Sequence, residues 1–180
     1  MFTDENLYEH FWNGEKIAAD ELVHRHGDIL VLFLNSYVKD IHEAEDLMIE
    51  AFALMFVKRR PVSEDGSFRA YLYKTARRLA GKAIKKHRIH IGLEELPFEL
   101  PGEVLADTNL FENERKKQLY EAMEELKPEY QEALYLVYIE DMSYRDTAEV
   151  MGRSESQIKN LVNRGKKSLK EILGKNGFEY

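Results

Sequence analysis

The sequence predicts an all-α protein of two small helical domains, and three observations support that fold class. Apolar residues recur at helical spacing over 20–56, over 68–87 and again from about 111. Two capping-box patterns, S-x-x-D at 143–146 and S-x-x-Q at 154–157, mark two further helix starts. No segment alternates polar and apolar residues over the length of a strand, so no sheet is expected.

The composition fits a chain that folds in water: of 180 residues, 33% are charged and 44% are hydrophobic. No apolar run is long enough to span a bilayer and no leader pattern opens the chain, so membrane insertion is not expected. Cysteine is absent, which excludes disulfides and thiolate metal sites. The absence also fits a reducing, cytoplasmic location.

Residues 1–91 are predicted to form the first domain. Its helical spacing breaks near Lys39 and Asp40, and HEAEDLMIEAFALMF then resumes it. The stretch RRPVSEDGS is predicted to be a loop because it combines proline, glycine, aspartate and serine. A helix over 68–87 follows. Its apolar stripe consists of Phe68, Leu72, Ala76, Leu79 and Ala83.

Residues 92–111 are predicted to be a flexible acidic linker, since prolines and glycines stand among acids there without a long periodic run. Residues 112–180 form the predicted second domain. Within it, Gly152 follows the last apolar residue of the helix that Ser143 starts, where a left-handed conformation favours glycine. The pattern therefore predicts a helix, a short turn and a second helix that starts at Ser154.

Acidic and basic residues are concentrated in separate segments of the chain. The formal net charge of −7 argues mildly against tight DNA binding by the chain alone. Residues 68–92 nevertheless carry eight cations and no acid, and residues 143–180 are also net basic, whereas the other segments are strongly acidic. Two basic islands in an acidic chain predict two nucleic-acid contacts.

The first island has the residue types of a surface for single-stranded nucleic acid. Without acids, i,i+4 ion pairs cannot account for its cations. Tyrosines stand among the cations, which suits unstacked bases above held phosphates. A solvated helix face, with Tyr71 in the core, is the alternative. The candidate DNA-binding residues of this island are Arg69, Tyr71, Tyr73, Lys74, Arg77, Arg78, Lys82 and Lys85.

The second island fits a helix-turn-helix, with an ordinary helical hairpin as the alternative. On its second helix, Ile158, Val162, Gly165 and Leu169 share one face. The leading turns of that helix would reach base edges in the major groove, and the later cations would meet phosphates. The candidate DNA-binding residues here are Arg153, Ser154, Glu155, Ser156, Gln157, Lys159, Asn160, Asn163, Arg164, Lys166 and Lys167.

No catalytic site, metal site or cofactor is predicted. HEAED at 42–46 lacks the second histidine of H-E-x-x-H, and neither a glycine-rich phosphate cradle nor G-x-S-x-G occurs. The histidines are expected to lie on the surface. A helical metal hydrolase, the enzyme alternative, would need a ligand cluster that the sequence does not offer.

Over 7–91 and 112–175 the chain resembles a bacterial RNA polymerase sigma factor of the extracytoplasmic-function group, within the sigma-70 family. AEDLMIEAF is similar to the family's A-E-D-L-x-x-E-x-F, and SFRAYLYKTARRLA to its F-x-x-W-L-x-x-I-A-R-N-x-A. LKPEYQEALYLVYIEDMSYRDTAEVMGRSESQIKNL follows the order of its L-P-x-x-x-R, G-L-S-Y-x-E-I-A and G-x-S-x-x-T-V-K motifs. The resemblance implies two helical domains joined by a flexible segment.

The resemblance also implies a function and partners. The first domain would melt and read the −10 promoter strand, and the second would read the −35 duplex. Core RNA polymerase, through its β′ coiled coil and β flap, and promoter DNA are the implied partners, and the family adds an anti-sigma factor as a further candidate. A stand-alone helix-turn-helix regulator is the alternative function. The residues that would dock on the coiled coil are Glu45, Asp46, Leu47, Ile49, Glu50 and Phe52.

Five residues depart from the family motifs. In the helix over 68–87, which would read the −10 strand, Tyr71 replaces a tryptophan, Arg78 an asparagine and Lys82 an aspartate. That asparagine helps to shape the family's pocket for a flipped base, so recognition here is expected to be more electrostatic. Ile49 replaces a common glutamine of the docking helix, and Gly165 replaces a common alanine of the −35 helix.

Overall fold

The computed structural model describes residues 2–59, 67–87, 96–100 and 114–176. The chain divides into two compact units. The N-terminal unit comprises Met1–His90 with Glu149–Met151, and the C-terminal unit comprises Ile91–Ala148 with Gly152–Tyr180. Throughout the described residues the regular structure is helical, which confirms the predicted all-α fold.

Four helices build the N-terminal unit. They are α1 (Asp4–Trp12), α2 (Lys16–Val38), α3 (Ile41–Val57) and α4 (Phe68–His87). Each turns an apolar stripe inward, because apolar surface removed from water stabilises the fold in proportion to its area. Its most deeply buried large side chains include Leu22, Leu30, Phe33, Leu34, Met55, Phe68 and Leu72, all 0% exposed.

The predicted break between the second and third helices is confirmed at two residues. Lys39 ends α2 in the left-handed conformation, with φ of 57°. Asp40 then begins α3, because its carboxylate accepts hydrogen bonds from the backbone N–H groups of His42 and Glu43. The predicted loop RRPVSEDGS lies mostly outside the described residues.

A partly buried polar contact ties α1 to α2. The Nε2 atom of His26 lies 2.7 Å from Oδ2 of Asp4, and the guanidinium of Arg25 donates to Oδ1 of the same carboxylate over 3.3 Å. The hydrogen bond with His26, together with the electrostatic interactions with His26 and Arg25, holds the pKa of Asp4 below its ordinary value of 3.8. The side chain of His26 is only 12% exposed, so the expectation of surface histidines is wrong at this position.

The C-terminal unit contains the predicted pair of capped helices. Its helices are α5 (Glu114–Glu124), α6 (Pro128–Leu134), α7 (Tyr144–Met151) as far as Ala148, and α8 (Glu155–Lys175). A π-helical turn, Tyr135–Ile139, extends α6. Pro128 starts α6 at a position where its missing N–H costs nothing.

The turn between α7 and α8 follows the sequence prediction closely. The Ser143 hydroxyl accepts from the Asp146 N–H at the start of α7, and Gly152 ends that helix with φ of 65°. At the start of α8 the capping box is complete: the Ser154 hydroxyl accepts from the Gln157 N–H, and the Gln157 side chain accepts from the Ser154 N–H.

Residues 96–100 of the predicted linker pack within the C-terminal unit. Phe98 is 0% exposed and its ring lies 5.6 Å from that of Tyr135. The N–H of Leu100 donates to Oε1 of the buried Gln131, whose Nε2 donates to the carbonyls of Glu124 and Leu126. Residues 96–100 are therefore held by the unit that follows them, and the remainder of 92–111 lies outside the described residues.

Candidate nucleic-acid and protein interfaces

Four of the six predicted docking residues lie on the solvent-exposed face of α3. Glu45, Asp46, Ile49 and Glu50 are all exposed. Ile49 is 62% exposed, and two further apolar side chains, Leu54 and Val57, extend the surface toward the end of the helix. An apolar strip beside acids is suited to a protein partner, because both apolar area and charge complementarity contribute to association.

Two predicted docking residues lie in the core instead. Leu47 is 8% exposed and Phe52 is 4% exposed, and the Phe52 ring stacks on Phe56 with centroids 5.9 Å apart. They share the inner side of α3 with the buried Ala51 and Met55, and so they flank the exposed face that carries Asp46 and Glu50. They can support the docking face but do not form its surface.

The candidate DNA-binding residues of α4 divide by exposure. Arg78, Lys82 and Lys85 are exposed, whereas Arg69, Tyr71 and Lys74 are half-buried. This gradient leaves the C-terminal half of the helix as its most accessible cationic surface. Exposed cations of this kind supply the sequence-independent hold on phosphates.

Two residues predicted to contact DNA are instead part of the core of the N-terminal unit. Tyr73 is 1% exposed and its ring packs against Phe33 at 4.8 Å, so it is not available as a base-stacking platform. The Arg69 guanidinium lies over the same ring at 5.9 Å. Arg77 is only 9% exposed. The prediction is corrected at both positions, because tertiary packing rather than residue type decides which side of α4 faces water.

A cavity of about 250 Å³ lies between the end of α3 and the middle of α4. Tyr71 and Thr75 line one part of it, and the Thr75 hydroxyl donates to the Tyr71 carbonyl over 2.9 Å. Three cations, Lys58, Arg78 and Lys82, also line the cavity. Cations beside a half-buried aromatic ring are the chemistry that holds a base together with its phosphate. The sequence analysis identified Tyr71, Arg78 and Lys82 but missed Thr75 and Lys58, the latter directly after the last residue of α3.

The predicted recognition helix, α8, presents polar residues to solvent over its first four turns. Ten of the eleven candidates, all except Arg153, are exposed. Arg153 is 26% exposed at its side chain and donates to Glu129 over 3.2 Å, so it braces the turn before α8. The exposed residues are Ser154, Glu155, Ser156, Gln157, Lys159, Asn160, Asn163, Arg164, Lys166 and Lys167.

The inner face of α8 packs closely on α6. Ile158 is 0% exposed and Val162 is 1% exposed. A Cβ atom built on Gly165 would lie 3.2 Å from Cδ1 of Leu134 and 3.3 Å from Cβ of Tyr130. Glycine therefore lets the two helices approach closely, which accounts physically for this departure from the family motif.

Lys166 has a partner that the sequence analysis did not identify. Its ammonium group donates to the Tyr138 hydroxyl over 3.0 Å and lies 5.2 Å from the centre of the same ring. This hydrogen bond raises the pKa of Lys166 above its ordinary value. Tyr138 lies in the π-helical turn, 28 residues away, and sequence periodicity gives no signal for such a pair.

Within the part of the chain that the structure describes, no three histidine or carboxylate side chains come together as metal ligands would. Across 2–59, 67–87, 96–100 and 114–176, every helix is too short or too polar to form a transmembrane span.

Each of the two units contains a segment that matches a known protein family. Residues 22–89 match the family described as sigma-70 region 2, and residues 116–169 match the family described as sigma-70, region 4. The two matches together span well over half of the chain.

Individual proteins show the same similarity. The chain is 26% identical to the ECF RNA polymerase sigma factor SigM of Bacillus subtilis over 168 residues, which is 88% of this chain and 97% of that protein. The structure of CnrH in complex with the cytosolic domain of CnrY is similar in fold, with a TM-score of 0.66 at 19% identity over 95% of this chain and 97% of that chain. A sigma factor RpoE, in complex with the anti-sigma factor NepR from Bartonella quintana, has a TM-score of 0.61 at 18% identity over 86% and 96% of the two chains.

Proposed function

Because the chain belongs to the sigma-70 family, as an extracytoplasmic-function RNA polymerase sigma factor that directs transcription initiation, we propose that it reads its promoter with two separate surfaces. The exposed face of α8 reads the −35 element as duplex DNA. The cationic face of α4, with the cavity beside Tyr71, binds the −10 element as an opened strand.

The observation that carries the proposal is the division of α8 into two faces. Its polar residues are exposed from Ser154 to Lys167, while Ile158, Val162 and Gly165 are buried against the rest of the C-terminal unit. A capped helix with a free polar leading turn fits the major groove, where side chains can reach base edges. The later cations then meet the phosphate backbone.

The −10 surface uses a different chemistry. Arg78 and Lys82 line the same cavity as Tyr71 and stand where the family motif has an asparagine and an aspartate. Two extra positive charges hold phosphate strongly and discriminate bases weakly. Promoter selection is therefore expected to depend more on the −35 surface than on the identity of a flipped −10 base.

Core polymerase binds the outer face of α3. Asp46 and Glu50 lie one turn apart beside the exposed Ile49, so the docking face combines two acids with an apolar centre. Apolar burial would supply affinity, and the acids would set orientation against a basic partner. Leu47 and Phe52 hold this helix in place from behind.

Three further properties follow from this function. Sigma factors are generally non-enzymatic DNA-binding regulators, and this chain has no catalytic activity of its own. It works in the cytoplasm, where core polymerase and DNA are found. An anti-sigma factor restrains it, a proposal prompted by the RpoE structure solved with NepR, and purification of the tagged chain from its own cells tests for such a partner.

The decisive experiment is run-off transcription with core polymerase on duplex and pre-melted templates. Lys159→Ala or Arg164→Ala should weaken the closed complex, by about 1–3 kcal/mol for a base contact and less for a phosphate contact. Tyr71→Ala or Arg78→Ala should slow strand opening, and a pre-melted bubble should restore much of the activity. Lys175→Ala, an exposed cation beyond the predicted contacts, serves as the matched control.

The result also separates this proposal from a stand-alone regulator. A sigma factor of net charge −7 should bind promoter DNA poorly until core enzyme is added. Tight, sequence-specific binding by the chain alone in a gel-shift assay would favour the regulator. Equal rescue of the Lys159 and Tyr71 variants by pre-melting would contradict the assignment of the two surfaces.

A further inference from the structure

The first helix of the chain contacts the start of α4 through a carboxylate. α1 lies outside the matched range 22–89, and the family motifs assign it no role. Oε1 of Glu5 accepts a hydrogen bond from the backbone N–H of Phe68 over 3.1 Å. Phe68 is the first residue of α4, so its N–H has no acceptor within the helix. A negative charge at a helix N-terminus is also favoured by the helix dipole.

The same helix also contacts the end of α3. The hydroxyl of Tyr8 donates to the carbonyl of Met55 over 2.9 Å, in the last turn of α3. The Tyr8 ring packs against Phe68 with centroids 5.3 Å apart, and both side chains are almost fully buried. Glu5 and Tyr8, one turn apart on α1, therefore connect the end of α3 to the start of α4.

α1 is itself firmly placed. Thr3 caps its first turn by accepting from the Asn6 N–H. Asp4, next to Glu5, forms the partly buried contact with His26 and Arg25 of α2. A side chain whose own helix is anchored on both sides can hold its partner in one geometry, which is the requirement for a positioning residue.

We propose that Glu5 and Tyr8 are positioning residues for promoter opening. They hold the first turn of α4 in register with the end of α3, and these two helices carry the cavity that the −10 strand is proposed to use. The inference rests on the proposed function, because the consequence for DNA exists only if α4 binds the opened strand. A shift of the first turn of α4 would move Tyr71, one turn further on, relative to Lys58 at the end of α3.

The test uses the full chain, free and bound to core polymerase. Glu5→Ala and Tyr8→Phe remove one hydrogen bond each, while Glu5→Gln keeps an acceptor oxygen without the charge. Glu9→Ala removes an exposed acid from the same helix and is the matched control. Leu34→Val, in the core of α2, is chosen as a control for lost stability alone.

The first measurement is amide hydrogen exchange in the free chain. Glu5→Ala and Tyr8→Phe should accelerate exchange at residues 68–71 by about tenfold, since local opening becomes easier there. Glu9→Ala should leave it unchanged, and Glu5→Gln should lie between. Unchanged exchange at 68–71 in both variants would overturn the inference.

The second measurement is the rate at which the holoenzyme opens a duplex promoter, compared with its activity on a pre-melted template. Each variant should open the duplex about threefold to tenfold more slowly, the effect of one lost hydrogen bond, with core binding unchanged and much of the activity restored by pre-melting. Leu34→Val lowers stability without touching the contact between α1 and α4. If the Glu5 and Tyr8 variants are impaired no more than Leu34→Val when their melting temperatures are matched, α1 is a structural support only and the positioning role is refuted. If the unaltered chain fails to initiate transcription with core polymerase, the proposed function is wrong. The hydrogen-exchange measurement then still tests the contact between α1 and α4 independently.

Discussion

Replacing Gly165 with alanine measures how closely α8 packs on α6. In the interior of a helix this exchange normally stabilises by about 1 kcal/mol, because glycine loses more backbone freedom on folding. Here the added Cβ would lie 3.2 Å from Leu134 Cδ1 and 3.3 Å from Tyr130 Cβ. The Tyr130 Cβ is fixed to the backbone of α6, so it cannot rotate away, and overpacking of this kind costs about 1–3 kcal/mol.

The expected net effect of Gly165→Ala is a loss of about 1 kcal/mol in the free energy of unfolding. Gly174→Ala provides the matched control on the same helix, because a Cβ there has nothing within 4 Å. It should stabilise by up to about 1 kcal/mol. The difference between the two variants isolates the packing cost from helix propensity.

Urea unfolding followed by far-UV circular dichroism measures both variants. Trp12, the single tryptophan, lies in the N-terminal unit, so its fluorescence reports the unfolding of that unit and provides an internal reference. If Gly165→Ala stabilises the chain as much as Gly174→Ala, the close approach of the two helices does not require glycine, and the explanation given for this departure from the family motif is wrong.

Three further outcomes are expected. Asp46→Ala combined with Glu50→Ala should weaken core polymerase binding in a pull-down titration and leave the circular dichroism spectrum intact, because exposed charges contribute little to folding; unchanged affinity would remove these acids from the docking face. The lowered pKa of Asp4 means that its contacts stabilise the fold above pH 3.8 and that this stability is lost as the pH falls through the depressed value. Asp4→Asn should therefore flatten the dependence of unfolding free energy on pH in that acid range, and an unaltered pH profile would argue against the contact. Gln131→Leu should cost about 3 kcal/mol in thermal unfolding, because the Leu100 N–H and two carbonyls lose a buried partner; a cost below that of a surface substitution would show that residues 96–100 are not held by the C-terminal unit.

Local sequence signals were sufficient for the helix ends. Ser154 with Gln157, Ser143, Gly152 and Asp40 all act at positions that their neighbours along the chain dictate, since capping involves groups only two to four residues apart. The all-α fold and the exposed face of α8 follow from the same short-range periodicity.

Contacts between residues distant in sequence were decided by tertiary structure alone. Residue type made Tyr73 look like a DNA contact, but the ring lies against Phe33, 40 residues earlier, because α4 packs into the core on that side. The pairs between Glu5 and Phe68, and between Tyr138 and Lys166, join segments that periodicity treats separately. The sequence by itself determined the all-α fold, the capped helix starts and the polar face of α8, since those depend on neighbours within a few turns, but it did not indicate α1. Only the packing of the helices decided which cations remain accessible and which carboxylate holds the start of α4, since burial and long-range hydrogen bonds exist only once distant segments meet.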